Sequence, residues 1–122
     1  MLRTLKAAGV ATAAALAVTG VAATPATASA LVTSAHQDCD YAEVDAEGLG
    51  YQPGQTIIVE HEIDDNFGGP DDTLPSDTLT VRADGTWATH HDGGGHGTTY
   101  YVTVKNTQGT VLGSDYSYCG IW

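Results

Sequence analysis

Three of the chain's five histidines fall close together, at His90, His91 and His96, with Asp92 among them and Gly93, Gly94 and Gly95 filling the gap. Imidazoles and a carboxylate at this density form a ligand set for Zn²⁺ or Cu²⁺, and the glycines would let the backbone wrap an ion. The spacing, however, matches no closed structural zinc motif. His90 and His91 also point to opposite faces if a strand runs through them. Solvated loop histidines are the expectation, and a metal site at His90, His91, Asp92 and His96 is the alternative.

A second set of candidates is acidic. Asp64, Asp65, Asp71 and Asp72 offer oxygen ligands of the kind that hold Ca²⁺. The calcium-loop pattern of alternating Asp or Asn with a glycine and a distal Glu is missing, so a charged, flexible loop is expected here. No Gly-x-Ser-x-Gly nucleophile elbow occurs. Paired carboxylates discriminate nothing in a chain this acidic, and a domain this small has little room for a deep apolar pocket. The chain is therefore not expected to be an enzyme, and no cofactor is expected.

Cys39 and Cys119 are the only cysteines. Neither sits in a Cys-x-x-Cys pair or beside a basic residue, so two reactive thiols are the weaker reading. A disulfide between them would close a loop of about eighty residues, worth about 4.5 kcal/mol by loop-closure entropy.

The oxidising compartment that such a bond needs is suggested by the N-terminus. Arg3 and Lys6 precede an apolar, uncharged run from Ala7 to Ala23, and Ala28-Ser29-Ala30 fits a small-x-small cleavage site. Residues 1–30 are thus predicted to be a secretory signal peptide, and the mature chain is predicted to be extracellular. Both of those cations leave with the peptide. Arg82 and Lys105 alone then face all fifteen carboxylates. That balance disfavours nucleic acid and anionic membrane as partners and suits a basic surface, cations or simple solubility.

The elements that position these residues read as strands. Residues 31–38 are short, mixed and free of Gly and Pro, and are expected to form a flexible tail able to extend against a partner. Residues 39–122 form the domain. Asp40 to Ala46 alternates, with Val44 and Ala46 on one face. Pro53-Gly54 fits the centre of a type II turn. Thr56 to Ile63 is a strand, and Asp64 to Pro75 is expected to be a long acidic loop. Thr78 to Val81 and Thr86 to Thr89 alternate around Ala83-Asp84-Gly85, which reads as a hairpin turn. His91 to Gly97 is expected as a loop. Thr99 to Lys105 places Tyr100, Val102 and Val104 on one face, and Val111 to Trp122 supplies the final strand or strands. Turn signals at this spacing predict an all-β, small antiparallel β-sandwich.

The turn from Gly48 through Thr56, the Ala83–Thr86 turn and the Gly97–Tyr101 strand entry carry a resemblance. Together with the Asn106–Gly109 turn, they are similar to the immunoglobulin-like β-sandwich domains secreted by actinobacteria and related bacteria. The similarity spans about Asp45 to Ser114. It implies an immunoglobulin-like fold and transfers no functional residue, because the shared positions are turns and core. Such domains serve as linkers, adhesins, ligand binders and adaptors. Tyr41, Tyr51, Tyr100, Tyr101, Tyr116 and Tyr118, with Trp87 and Trp122, give a tyrosine-rich set of the kind recognition surfaces use. The expected function is a secreted, non-catalytic protein-interaction module whose partner is another extracellular protein, met through a sheet edge or the tail. A small-ligand or metal-binding (Ca, Zn or Cu) sandwich is the alternative.

Overall fold

The computed structural model describes residues 30–121. The predicted signal peptide, apart from Ala30, lies outside the described residues. Seven strands follow one another: β1 (Val32–Asp38), β2 (Glu43–Leu49), β3 (Thr56–Asp65), β4 (Asp72–Thr80), β5 (Trp87–Asp92), β6 (Thr98–Asn106) and β7 (Val111–Tyr118). They build two antiparallel sheets, one ordered β1-β2-β5 and the other β4-β3-β6-β7. The sheets stack into a β-sandwich. Alternation decides which side chains meet between them: Val44 and Ala46 from β2, Ile57, Val59 and Ile63 from β3, and Tyr100, Val102 and Val104 from β6 are all buried. Trp87 opens β5 and packs edge-on against Tyr51, with ring centroids 5.6 Å apart.

Residues 31–38 are not a tail. From Val32 to Asp38 they form β1, which pairs with β2 along its whole length. Its inward residues are Thr33, Ala35 and Gln37, which are small or polar, so no apolar alternation announces the strand. Hydrogen bonds hold those polar groups. Thr33 Oγ1 meets the Tyr51 hydroxyl at 2.6 Å, and Ala35 N–H donates to Asp115 Oδ2 at 2.8 Å. Gln37 Nε2 donates to Ser117 O at 2.8 Å, while Gln37 Oε1 accepts from Gly95 N–H at 3.1 Å and Thr98 Oγ1 at 3.2 Å. These bonds stitch β1 to β7 and close one side of the sandwich.

The long acidic loop is also shorter than expected. Asp64 and Asp65 end β3, Asp72 to Pro75 begin β4, and only residues 66–71 lie between. Pro75 argues against a strand only in a sheet interior. β4 is an edge strand, and Pro75 falls where its pairing with β3 slips. Similarly, β5 runs through His90, His91 and Asp92, so the loop begins at Gly93.

The Ala83-Asp84-Gly85 turn forms as expected. Gly85 has φ 81° and its N–H bonds to Arg82 O at 2.9 Å. It does not join a hairpin, because β4 and β5 belong to opposite sheets and the turn carries the chain across the sandwich. The Pro53-Gly54 turn is present, with Gly54 at φ 82° and Gln55 N–H bonded to Gln52 O. Cys39 and Cys119 form the disulfide, with Cα atoms 5.8 Å apart, tying the β1–β2 turn to the end of β7.

Candidate functional site

A slip in one strand pairing assembles the most concentrated group of titratable side chains. Val59 of β3 faces Asp77 of β4, but two residues further along β3, His61 faces Leu74. Three residues of β4 thus span two of β3, a bulge that leaves Pro75 and Ser76 opposite Glu60. Side chains alternate strictly along a strand, so this extra residue is what lets Leu74 and Asp77 both face inward. The bulge therefore sets the Asp77 carboxylate beside the His61 ring. From the other sheet, β5 presents Trp87, Thr89 and His91 inward, and His91 completes the group.

The geometry is a chain of short hydrogen bonds. The Tyr100 hydroxyl and His61 Nδ1 are 2.6 Å apart, His61 Nε2 lies 2.8 Å from Asp77 Oδ2, and His91 Nε2 lies 2.6 Å from the same oxygen. Burial pushes the Tyr100 phenol well up, so the hydroxyl keeps its proton and donates it to Nδ1. His61 is then the neutral tautomer with Nε2–H donating to Asp77. Burial also holds the His61 imidazole below its ordinary value, against the upward pull of Asp77. For Asp77 burial works upward, but the hydrogen bonds from His91 and His61 outweigh it and hold the carboxyl below the usual range. His61 stacks on Tyr100 and lies 4.5 Å, centroid to centroid, from His91. The His61 side chain is sealed from solvent, whereas His91 and Asp77 are partly exposed at the open edge between β4 and β5. Thr89 Oγ1 is buried near the Tyr100 hydroxyl without reaching hydrogen-bonding geometry to any partner.

The candidate residues of the His-Gly stretch do not converge. Only His91 turns inward. His90 points outward to Asp45 Oδ1 at 2.7 Å, and that hydrogen bond holds its imidazole above the ordinary value. His90 also lies close to Asp92 and Glu43 on the exposed surface. His96 sits 2.9 Å from Asp40 Oδ1 and 3.2 Å from Gly120 O, clasping the two segments that carry the cysteines. Sequence reasoning missed Asp77 and did not connect His61 to His91. The available signal was the burial of His61 in an apolar strand, which demands polar partners.

Of the acidic candidates, Asp64 and Asp71 are neighbours. Their mutual hydrogen bond, aided by like charge, raises the Asp64 carboxyl above its ordinary value. Asp65 Oδ1 caps the turn by accepting from Phe67 N–H at 2.8 Å, and Asp72 is exposed at the start of β4. Among the described residues, no three of these four gather into one ligand set.

A second feature lies on the outer face of the four-stranded sheet. Tyr101 and Tyr116 are register partners with ring centroids 5.9 Å apart, and Tyr118 follows on the same face of β7. They are 41%, 63% and 62% exposed. Beside Tyr101, β3 and the β4 bulge leave a groove of about 290 Å³ lined by Glu60, His61, Glu62, Thr73, Ser76 and Thr103. Phe67 and Ile121 meet over Gly97 at the adjacent end of the sandwich and are also exposed.

No protein-family model, no curated protein and no solved structure matches the chain. The likeness to secreted immunoglobulin-like domains accordingly rests on the turn motifs of the sequence, and the structure itself shows a two-sheet antiparallel β-sandwich.

Proposed function

We propose that the chain is a secreted, non-catalytic binding module with an immunoglobulin-like sandwich fold, and that the outer face of its four-stranded sheet recognises another extracellular protein. The observation that carries this reading is the exposed row of Tyr101, Tyr116 and Tyr118 beside a carboxylate-lined groove. Tyrosines supply large contact area at low entropic cost, and a rim of Glu60, Glu62 and Asp64 suits a partner surface that is basic. The alternative contact routes are blunted. β1 is consumed by the fold, and its outer edge is covered through Asp115 and Ser117. β4 carries Pro75 and a bulge along its free edge. The Cys39–Cys119 bond supports an oxidising, extracellular setting.

The test places a photo-crosslinking residue at position 116 and, as control, at position 88 on the opposite sheet, and exposes each protein to culture fluid of the source. One partner should be captured from position 116 and not from 88. Tyr101→Ala with Tyr118→Ala should weaken its binding at least tenfold. Equal capture from both faces, or binding indifferent to the tyrosines, would remove this reading.

A further inference from the structure

We propose that His61, His91 and Asp77 form a binding site for one transition-metal dication, with Zn²⁺ as the ion of choice. The site lies between the sheets, whereas the tyrosines face outward, and it is not the histidine set suggested by the clustering of His90, His91, Asp92 and His96.

Two imidazole nitrogens and one carboxylate oxygen lie within 4.8 Å of one another. That combination is a standard three-ligand set for zinc, with a fourth position left for water. Tetrahedral bonds of about 2.0–2.1 Å put ligand atoms roughly 3.3 Å apart. The present Nε2–Oδ2 separations of 2.8 Å and 2.6 Å must therefore open by about half an ångström. The groups that would move are His91 and Asp77, which sit at the accessible edge, while His61 is fixed by its packing. The same edge, where no strand pairing joins β4 to β5, is the entry path.

The surrounding hydrogen bonds also accommodate the loaded state. To bind a metal, His61 must free Nε2 and carry its proton on Nδ1. Nδ1–H then donates to the Tyr100 oxygen, giving the ligating histidine the outer partner such ligands require. The Tyr100 hydroxyl thereby changes from donor to acceptor toward His61. His91 undergoes the same tautomer change with its Nδ1–H directed to solvent. His61 keeps one ring proton throughout, moved from Nε2 to Nδ1, and Asp77 remains a carboxylate.

The other group of possible ligands, Glu43, His90 and Asp92, contributes one imidazole and lies on the exposed surface. It serves as the internal control.

The experiment titrates the untagged, disulfide-bonded secreted chain with Zn²⁺ by calorimetry after treatment with chelator, and with Co²⁺ by visible absorption. The expected result is one Zn²⁺ per chain at submicromolar affinity and a tetrahedral Co²⁺ spectrum. His91→Gln, confirmed as folded by proton NMR, should lose the affinity by about a hundredfold or more. Tyr100→Phe should leave the chain folded and weaken Zn²⁺ by about tenfold, through loss of the outer partner of His61. His90→Gln and His96→Gln should bind as the unmodified chain does. Absence of binding, binding retained in His91→Gln, or binding lost in His90→Gln would each overturn the proposal.

Discussion

Asp77 and His61 stand on neighbouring strands and are not register partners, yet Nε2 and Oδ2 are 2.8 Å apart. The bulge at Pro75 and Ser76 produces this diagonal contact. It also places one carboxylate oxygen between histidines from two different sheets, so protonation anywhere in the group acts on the packing of the sandwich.

Stability should fall on acidification in two stages. Burial holds His61 below its ordinary value, so the unfolded chain takes up that proton near pH 6.5 before the folded chain does. The stability it contributes is present above about pH 6.5 and is lost as pH falls toward the folded value. Asp77 is also held low, so its contribution is present above about pH 4 and is lost as pH falls through its folded value. His90 has the opposite sign but is exposed, and its effect should be small. Thermal melts in chelator should show a decline between about pH 7 and 5 and a steeper one below about pH 4. A melting temperature that is flat over both intervals contradicts the geometry.

The disulfide should be the largest single covalent contribution. It closes a loop with a sequence separation of 80 residues. Replacing both cysteines by alanine should cost about 4.5 kcal/mol, read as a lowered urea midpoint. An intact mass matching two free thiols in the non-reduced chain would exclude the bond.

Gln37 should behave as a core residue despite its polarity. Its amide reaches Ser117, Gly95 and Thr98. Gln37→Ala leaves buried groups on three segments without partners and should cost about 2–3 kcal/mol. Removing residues 31–37 should unfold the domain, seen as collapse of proton NMR dispersion. A folded product would restore the tail reading.

Gly48 should not tolerate a side chain. A Cβ there would run into the Trp87 indole and approach the Tyr51 ring. Gly48→Ala should destabilise by about 1–3 kcal/mol, measured by denaturant titration. An unchanged midpoint would mean that Trp87 has room to move.

The legible parts of the fold were those with one polar and one apolar face. Tyr100, Val102 and Val104 alternate with exposed neighbours, and their strand and its buried side followed directly. The Pro53-Gly54 turn and the cysteine pair were equally plain. Where inward positions hold polar residues, periodicity falls silent. Thr33 and Gln37 hid β1, and Pro75 disguised the bulge that brings Asp77 inward. The titratable group depends on both Asp77 and His91, which share no local pattern. Proximity in sequence pointed instead to His90 and His96, which alternation and the glycine turns send elsewhere.

The placement of the disulfide also determines how the domain carries load. β1 runs from Val32, opposite Leu49, to Asp38, opposite Glu43, so Leu31 and Ile121 leave at opposite ends of the long axis. Tension applied between these two points runs along β1, which is already extended, and passes straight across the Cys39–Cys119 bond. The six strands between those cysteines lie outside the force path. Pulled from these two points, the domain would lengthen very little and keep the face bearing Tyr101 and Tyr116 intact.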